Sequence, residues 1–387
     1  MKICHSGALF LLALGTAGFP SLGCAQQETP RVLAPHSSVA IITEAQKVSE
    51  AQLKSLSDQK RNPLDWIGGT MWAGVAEFSH VSPRPFERDA VLQMGEKANW
   101  KPLVRKDPFH ADDDCIGQAF LDAYGQNRDP RFLAPIQADM DALVDHLNAP
   151  TDDPKKLTWS WCDALFMAPP VLSRLSNVTG NSKYIDAMDK EWWKVSDALY
   201  DPQEHLFYRD KRFLTLTTKS GKKVFWSRGN GWVLAGLARV LTWMPSNYPT
   251  RPKYEQQFQA MSAKLLSLQG HDGAWRTSLL DAEEFPSPET SGTAFYCYGM
   301  AWGINNGLLP RATYAPAALK AWSALLANKR PDGVPGWVQL VGDRPGKAEA
   351  SGTQLYATGG MLLAATELAH LTESGPTVAV TPLGAKT

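Results

Sequence analysis

The sequence predicts an all-α chain closed into a ring of six helical hairpins, an (α/α)6 barrel. Three observations predict it: an internal repeat, a set of apolar helices rich in small residues, and amphipathic helices between them. Asp272-Gly273 recurs sixty residues on as Asp332-Gly333, and at the same offset ETSGTAFYCYGM from Glu289 answers EASGTQLYATGG from Glu349. Six of those twelve positions are identical, namely Glu, Ser, Gly, Thr, Tyr and Gly.

The inner elements follow in chain order. A small or polar residue opens an apolar segment at GGTMWAGVAEF from Gly68, CIGQAFLDAY from Cys115, WCDALFMAPPVL from Trp161 and GNGWVLAGLARVL from Gly229. With the two repeat segments there are six, spaced roughly 46 to 68 residues apart. Gly and Ala suit helices that crowd one another near an axis. The outer elements are charged and amphipathic: Lys183 to Leu199, Tyr254 to Leu268 and Pro316 to Leu326. Buried helices alternating with half-exposed ones describe stacked hairpins, and a count of six favours a closed ring over an open solenoid. No composition break marks a second domain, so the barrel is expected over residues 43–375 with a tail at 376–387.

In such a ring the inner helices run the same way and their N-termini gather on one rim. The residues there are Asp112-Asp113-Asp114, Trp159-Ser160-Trp161-Cys162-Asp163, Trp226-Ser227-Arg228-Gly229-Asn230-Gly231-Trp232 and Glu289-Thr290-Ser291. Asp, Asn and Ser are ordinary N-caps. Helix initiation does not call for Trp-x-Trp-x-Asp or Trp-x-Arg-x-x-x-Trp, whereas aromatic walls around charged groups describe a sugar site. The 14 tryptophans of the chain fit both a large core and sugar-stacking faces.

Other classes are disfavoured. Lys+Arg and Asp+Glu both number 39 and no basic stripe stands out, so nucleic acid is not an expected partner. His110, His205 and His271 lack metal-ligand spacing, there is no Gly-x-Ser-x-Gly elbow or P-loop, and Gly229-Asn-Gly231 is too short for a dinucleotide fingerprint. No metal and no cofactor are expected. Lys2 and His5 ahead of the apolar run Ala8 to Leu14 read as a signal peptide over 1–25, followed by a linker over 26–42. A periplasmic or secreted protein follows, with lipidation at Cys24 as the alternative. No other apolar run is long enough to span a membrane. Cys115, Cys162 and Cys297 then remain, and read as buried apolar residues.

These segments resemble glycoside hydrolase family 105, the unsaturated rhamnogalacturonyl hydrolases, and more distantly the unsaturated glucuronyl hydrolases of family 88. Trp226 to Trp232 is similar to the RGNGW signature, Trp161-Cys-Asp163-Ala-Leu-Phe-Met to the segment of the catalytic aspartate, and His110-Ala-Asp-Asp-Asp-Cys-Ile-Gly117 to that of the second acid. Glu289-Thr-Ser and Asp272-Gly-Ala-Trp275 also fit, and the matches run from about Asp65 to Leu368. Where some members have a histidine, near Leu206 to Asp210, this chain has Arg209, a subgroup difference placed with the substrate-binding residues.

The resemblance implies an oligosaccharide substrate ending in a 4,5-unsaturated uronic acid, whose vinyl ether is hydrated. Asp163 is implied as proton donor, with Asp113 as second acid, Asp112 as the next register and Asp114 as a cap. Arg228 is assigned to substrate oxygens, Trp161, Trp226 and Trp232 to stacking, and His110 to the site wall. A helix N-terminus lowers a carboxyl pKa, while indole burial and a neighbouring carboxylate such as Asp113 raise it. Glu289 and its repeat partner Glu349 are expected to be structural. A conventional glycosidase using Asp163 and Asp113, and a non-catalytic periplasmic sugar-binding protein, are the alternatives.

Overall fold

The computed structural model describes residues 36–56, 64–103, 107, 109–153 and 155–373. The expected signal peptide and the tail lie outside them, as does the linker up to residue 35. In chain order the helices are α1 (Ser38–Leu56), α2 (Trp66–Phe78), α3 (Phe86–Lys97), a short α4 (Ala111–Asp114) leading into α5 (Gly117–Asn127), and α6 (Pro130–Asn148). Then come a short α7 (Ala164–Met167) leading into α8 (Pro169–Thr179), α9 (Lys183–Leu199), α10 (Ser227–Trp243), α11 (Arg251–Ser267), α12 (Thr290–Asn305), α13 (Arg311–Ala327) and α14 (Leu355–Glu373). An antiparallel pair, β1 (Tyr200–Asp201) and β2 (Leu206–Phe207), follows α9. Helix α1 opens at Ser38, ahead of the boundary expected at residue 43.

Inner and outer helices alternate as the apolar patterning requires. Nearly every residue of α2, α10, α12 and α14 is buried, whereas α1, α6, α9, α11 and α13 bury one face. The inner helices pack in the cycle α2, α5, α7 with α8, α10, α12, α14, and α14 returns to pack on α2, so the ring is closed.

Closure is made through backbone. A Cβ placed on Gly74 of α2 would lie 2.7 Å from the Cα of Gly359 in α14, and one on Gly359 would meet the carbonyl of Thr70. Between α10 and α12, a Cβ on Gly299 would lie 2.6 Å from the Leu234 side chain. Large residues at these seams would hold the helices apart, which explains the small-residue content of the inner segments.

Deeper in the ring, each inner helix contributes a polar group. His80 at the end of α2 and Arg174 of α8 both reach Asp122 Oδ1 of α5, at 2.8 and 3.1 Å. Arg239 of α10 donates to Gln118 of α5 and lies 3.5 Å from Glu77 of α2. Asn305 of α12 donates to Glu367 Oε2 of α14 at 2.7 Å. Burial pushes the Glu367 carboxyl up to about 7, with Glu77 adding to the rise and Asn305 and Arg239 opposing it.

Two outcomes are expected. Gly74→Val should lower the unfolding free energy by about 3 kcal/mol, since overpacking a fixed seam typically costs that order; an unchanged denaturant midpoint would show that the seam is not closed. A carboxyl whose folded pKa lies above its ordinary 4.5 stabilises fully below that value, and the stabilisation is lost as pH rises through about 7. Glu367→Gln should therefore flatten the fall in stability between about pH 5 and about pH 8, by on the order of 2 kcal/mol. Identical pH slopes for the variant and the parent would contradict the assignment.

Candidate active site

The six inner N-termini share one rim, and the connections that follow them pin it in place. Trp161 and Asp210 form an antiparallel bridge and Cys162 N donates to Arg209 O at 2.8 Å. Ser227 N donates to Thr277 O at 2.9 Å, Glu289 N to Trp275 O at 2.9 Å, and Thr290 N to Trp337 O at 3.0 Å. The repeat supplies the turns: Gly273 and Gly333 both have φ of +89°, a left-handed conformation that glycine adopts without a Cβ clash.

Asp163 immediately precedes α7 with helical dihedrals, φ −60° and ψ −30°, and its side chain does not cap the helix. Its Oδ2 accepts from Arg209 Nε at 2.9 Å, while Oδ1 is buried with no hydrogen-bond partner. A Cβ on Gly229 would lie 3.2 Å from the Trp226 ring and 3.3 Å from Cys162 Sγ, so glycine there fits the close packing next to Asp163. Burial raises the Asp163 pKa; Arg209 and, more weakly, Arg228 oppose the rise, and the net shift is upward. The cause is desolvation of the charged form. The side chain makes no cap to α7, yet a backbone hydrogen bond at Asp163 still works against the rise.

Short helix α4, which carries the acid run, packs against α7, the helix that follows Asp163. Asp113 is buried and Asp112 half-buried. Asp114, expected as a cap, is not one: His110 Nδ1 accepts from Asp112 N at 3.4 Å, and Asp114 is buried against Asp139 of α6. Burial raises the Asp114 carboxyl far above its usual range, and the charges of Asp139, Asp113 and Asp112 add to the rise. The like-charge pressure expected on Asp163 is thus felt by Asp114. Half-buried Trp161 lies against His110, ring centres 4.8 Å apart, on the approach to Asp163.

The RGNGW segment proves to be framework. Arg228 is 1% exposed; its Nη1 and Nη2 donate to the carbonyls of Gln339 and Leu340 at 2.6 and 3.0 Å, and its guanidinium lies 4.4 and 4.7 Å from the ring centres of Trp226 and Tyr356. Its expected grip on substrate oxygens is therefore corrected: the planar fork is occupied by two backbone acceptors. Trp226 is 3% exposed and donates through Nε1 to Gln339 Oε1 at 2.8 Å. Trp232 is 1% exposed among Trp66, Phe166, Phe295 and Tyr356, so it fills the core and has no face for a sugar. Asn230 holds Phe207 from both sides, Oδ1 accepting from its N at 2.7 Å and Nδ2 donating to its O at 3.0 Å.

Several rim residues escaped the sequence reading. Gln339 has no motif, because long-range hydrogen bonds recruit it. Asp210 was only the neighbour of Arg209, yet it accepts from Arg209 Nη1 at 2.9 Å. Tyr356 did carry a signal, since it is the identical tyrosine of the repeat: Tyr296 donates to Ser227 O at 2.6 Å and Tyr356 to Gln339 O at 2.7 Å. The repeated glutamates part company. Glu289 is fully buried and caps α12 through Ser291 N and Gly292 N at 3.1 and 2.7 Å, whereas Glu349 is exposed and paired with Lys347 at 2.7 Å.

Comparison with known proteins finds relatives along nearly the whole chain. A family model described as Glycosyl Hydrolase Family 88 matches residues 40–372. A relative from Formosa agariphila named unsaturated 3S-rhamnoglycuronyl hydrolase is 39% identical over 347 residues, covering 84% of this chain and 92% of the relative. A solved structure described as a polysaccharide lyase superposes with a TM-score of 0.80 at 30% identity, covering 88% of this chain and 99% of that one. Another, described as a glycosyl hydrolase family 88 protein from Bacteroides vulgatus, gives 0.78 at 28% identity, covering 86% and 99%.

The framework role of Arg228 has a direct test. A lysine keeps the charge but cannot hold two carbonyls in one plane between two rings. In Arg228→Lys, amide hydrogen exchange around residues 338–341 should quicken by about tenfold or more, as expected when charged hydrogen bonds are lost. Exchange at the parent rate would contradict the role.

Proposed function

The chain belongs to glycosyl hydrolase family 88 and is a glycoside hydrolase, and from that premise we propose that it removes a terminal 4,5-unsaturated uronic acid from oligosaccharides left by polysaccharide lyases. The name of the Formosa relative supports rhamnose as the neighbouring sugar. The observation that carries the reading is the Asp163 carboxyl: buried, raised in pKa, one oxygen held by Arg209 and the other without a hydrogen-bond partner. An acid that must deliver a proton near neutral pH needs these properties.

Asp163 gives its proton to C4 of the unsaturated ring. Positive charge develops at C5, shared with the ring oxygen, and water adds there. The resulting hemiketal collapses, opens the ring and releases the neighbouring sugar, and a proton returns to the carboxylate. Asp163 thereby stabilises the cation once it is ionised and organises the water, with Asp113 as the second acid. Trp161 and His110 line the approach, with Asp112 beside them. Arg209 keeps Asp163 oriented, and Arg228, Trp226 and Trp232 act on substrate through the frame they build. The leader over residues 1–25 directs the enzyme out of the cytoplasm, with Cys24 as an alternative lipid anchor. Among the described residues no helix is long and apolar enough to cross a membrane.

The test is Asp163→Asn on an unsaturated disaccharide, followed by loss of double-bond absorbance. Turnover should fall about a hundredfold or more, the usual cost of removing a positioned acid. Near-parental turnover would sink the assignment. A gain of absorbance from a saturated polysaccharide would instead mark lyase chemistry.

A further inference from the structure

The Arg209 guanidinium is shared. Nε donates to Asp163 Oδ2 at 2.9 Å and Nη1 to Asp210 Oδ2 at 2.9 Å. A cation facing Asp163 alone would favour its ionised form and deprive it of the proton that the proposed chemistry needs. Asp210 is well placed to divide that cation. It is buried at 7% exposure, and its backbone is bridged to Trp161, next to Cys162 and Asp163. Its Oδ1 accepts from Arg212 N and Nε at 3.0 and 2.9 Å, and its Oδ2 from Arg212 Nη2 at 2.7 Å. Arg212 continues to Asp343 at 2.8 Å and Asp343 to Arg344 at 2.9 Å, so charges of alternating sign run from the buried carboxyl to the surface loop. The charge of part-buried Arg209 acts on Asp163, whereas Arg212, at 57% side-chain exposure, is screened.

We propose that Asp210 is a positioning residue for the reaction: by holding the far side of the Arg209 guanidinium it splits one cation between two carboxylates and keeps Asp163 able to carry a proton. This rests on Asp163 being the proton donor. The other groups bearing on Asp163 are Arg228 from α10, whose charge lowers its pKa, and Cys162 beside it; the acids Asp112, Asp113 and Asp114 lie on α4, which packs against α7. None of these acts through Asp210. Burial works to raise the Asp210 carboxyl, but hydrogen bonds from Arg212 and Arg209 bring it below its usual range, so it stays ionised while Asp163 exchanges its proton.

The sign of the effect is fixed. Removing the Asp210 charge leaves Arg209 to Asp163 alone, lowers the pKa of Asp163, and shifts the pH at which activity is lost on the alkaline side downward. Removing Arg212 frees Asp210 to hold Arg209 more strongly and shifts it upward. The experiment is the pH profile of kcat/KM on an unsaturated disaccharide for Asp210→Asn and Arg212→Gln, with Asp163→Asn alongside. The alkaline limb should move down by about one pH unit in Asp210→Asn, the order expected when an opposite charge acts at contact distance. It should move up by less in Arg212→Gln, whose site is at the surface. A uniformly lower profile with an unmoved limb would mean that Asp210 is only structural, and overturns the proposal. Should Asp210→Asn fail to fold, Arg212→Gln decides, and an unmoved limb there overturns it equally. Loss of turnover in Asp163→Asn together with unmoved limbs rejects Asp210 but keeps the proton donor; turnover retained in Asp163→Asn rejects both.

Discussion

The whole arrangement depends on inner helices that touch at the level of their backbones. Gly74 and Gly359 let α2 and α14 meet without intervening side chains, and that contact closes the ring. Closure makes the six inner N-termini neighbours. Without it, Asp163, Asp113 and Arg209 would be ordinary loop and cap residues on separate hairpins. Side chains crowded onto one rim lose water, and loss of water makes a carboxyl reluctant to ionise.

The rim divides into two kinds of residue. Arg228, Trp226, Trp232, Asn230 and Glu289 are buried and joined to backbone or core, and they hold the loop around Gln339 and the segment around Phe207 in register. Arg209, Trp161, His110 and Asp112 are partly exposed, and Asp163 is buried against Arg209. The frame is more extensive than the reactive part because a proton donor works only when held to within a fraction of an ångström. Arg209 embodies a compromise: it orients the acid at one oxygen, while its charge works against the protonated form. Burial and the second carboxylate at Asp210 act in the opposite direction.

Much of this was legible in the sequence. Alternation of apolar and amphipathic segments gives the hairpins, and α9 falls on the residues that its periodicity marks, Lys183–Leu199. The inner helices fall on the small-residue segments, except that the sixth, α14, starts only at Leu355 and leaves Glu349 to Gln354 as loop; the two Asp-Gly turns are true repeats. The rim motifs resemble two related families, and the family model described as family 88 matches the chain. What could not be read was the direction in which each rim side chain points. An inner helix is buried on all sides, so its hydrophobic pattern has no phase that separates lumen from neighbour. Arg228 and Trp232 therefore looked like ligands although they are structural. The partnership of Asp114 with Asp139 and the anchoring of Gln339 by Trp226, Arg228 and Glu289 depend on contacts between distant segments, which no local spacing records.

Burial favours the protonated form of the Asp163 carboxyl despite its arginine partner. Difference infrared spectroscopy between the parent protein and Asp163→Asn, recorded across pH, observes that proton directly. A protonated-carboxyl band, missing from the variant, is expected to persist above pH ~4, the ordinary value for aspartate. A difference band that is already lost by about pH 4 would contradict it.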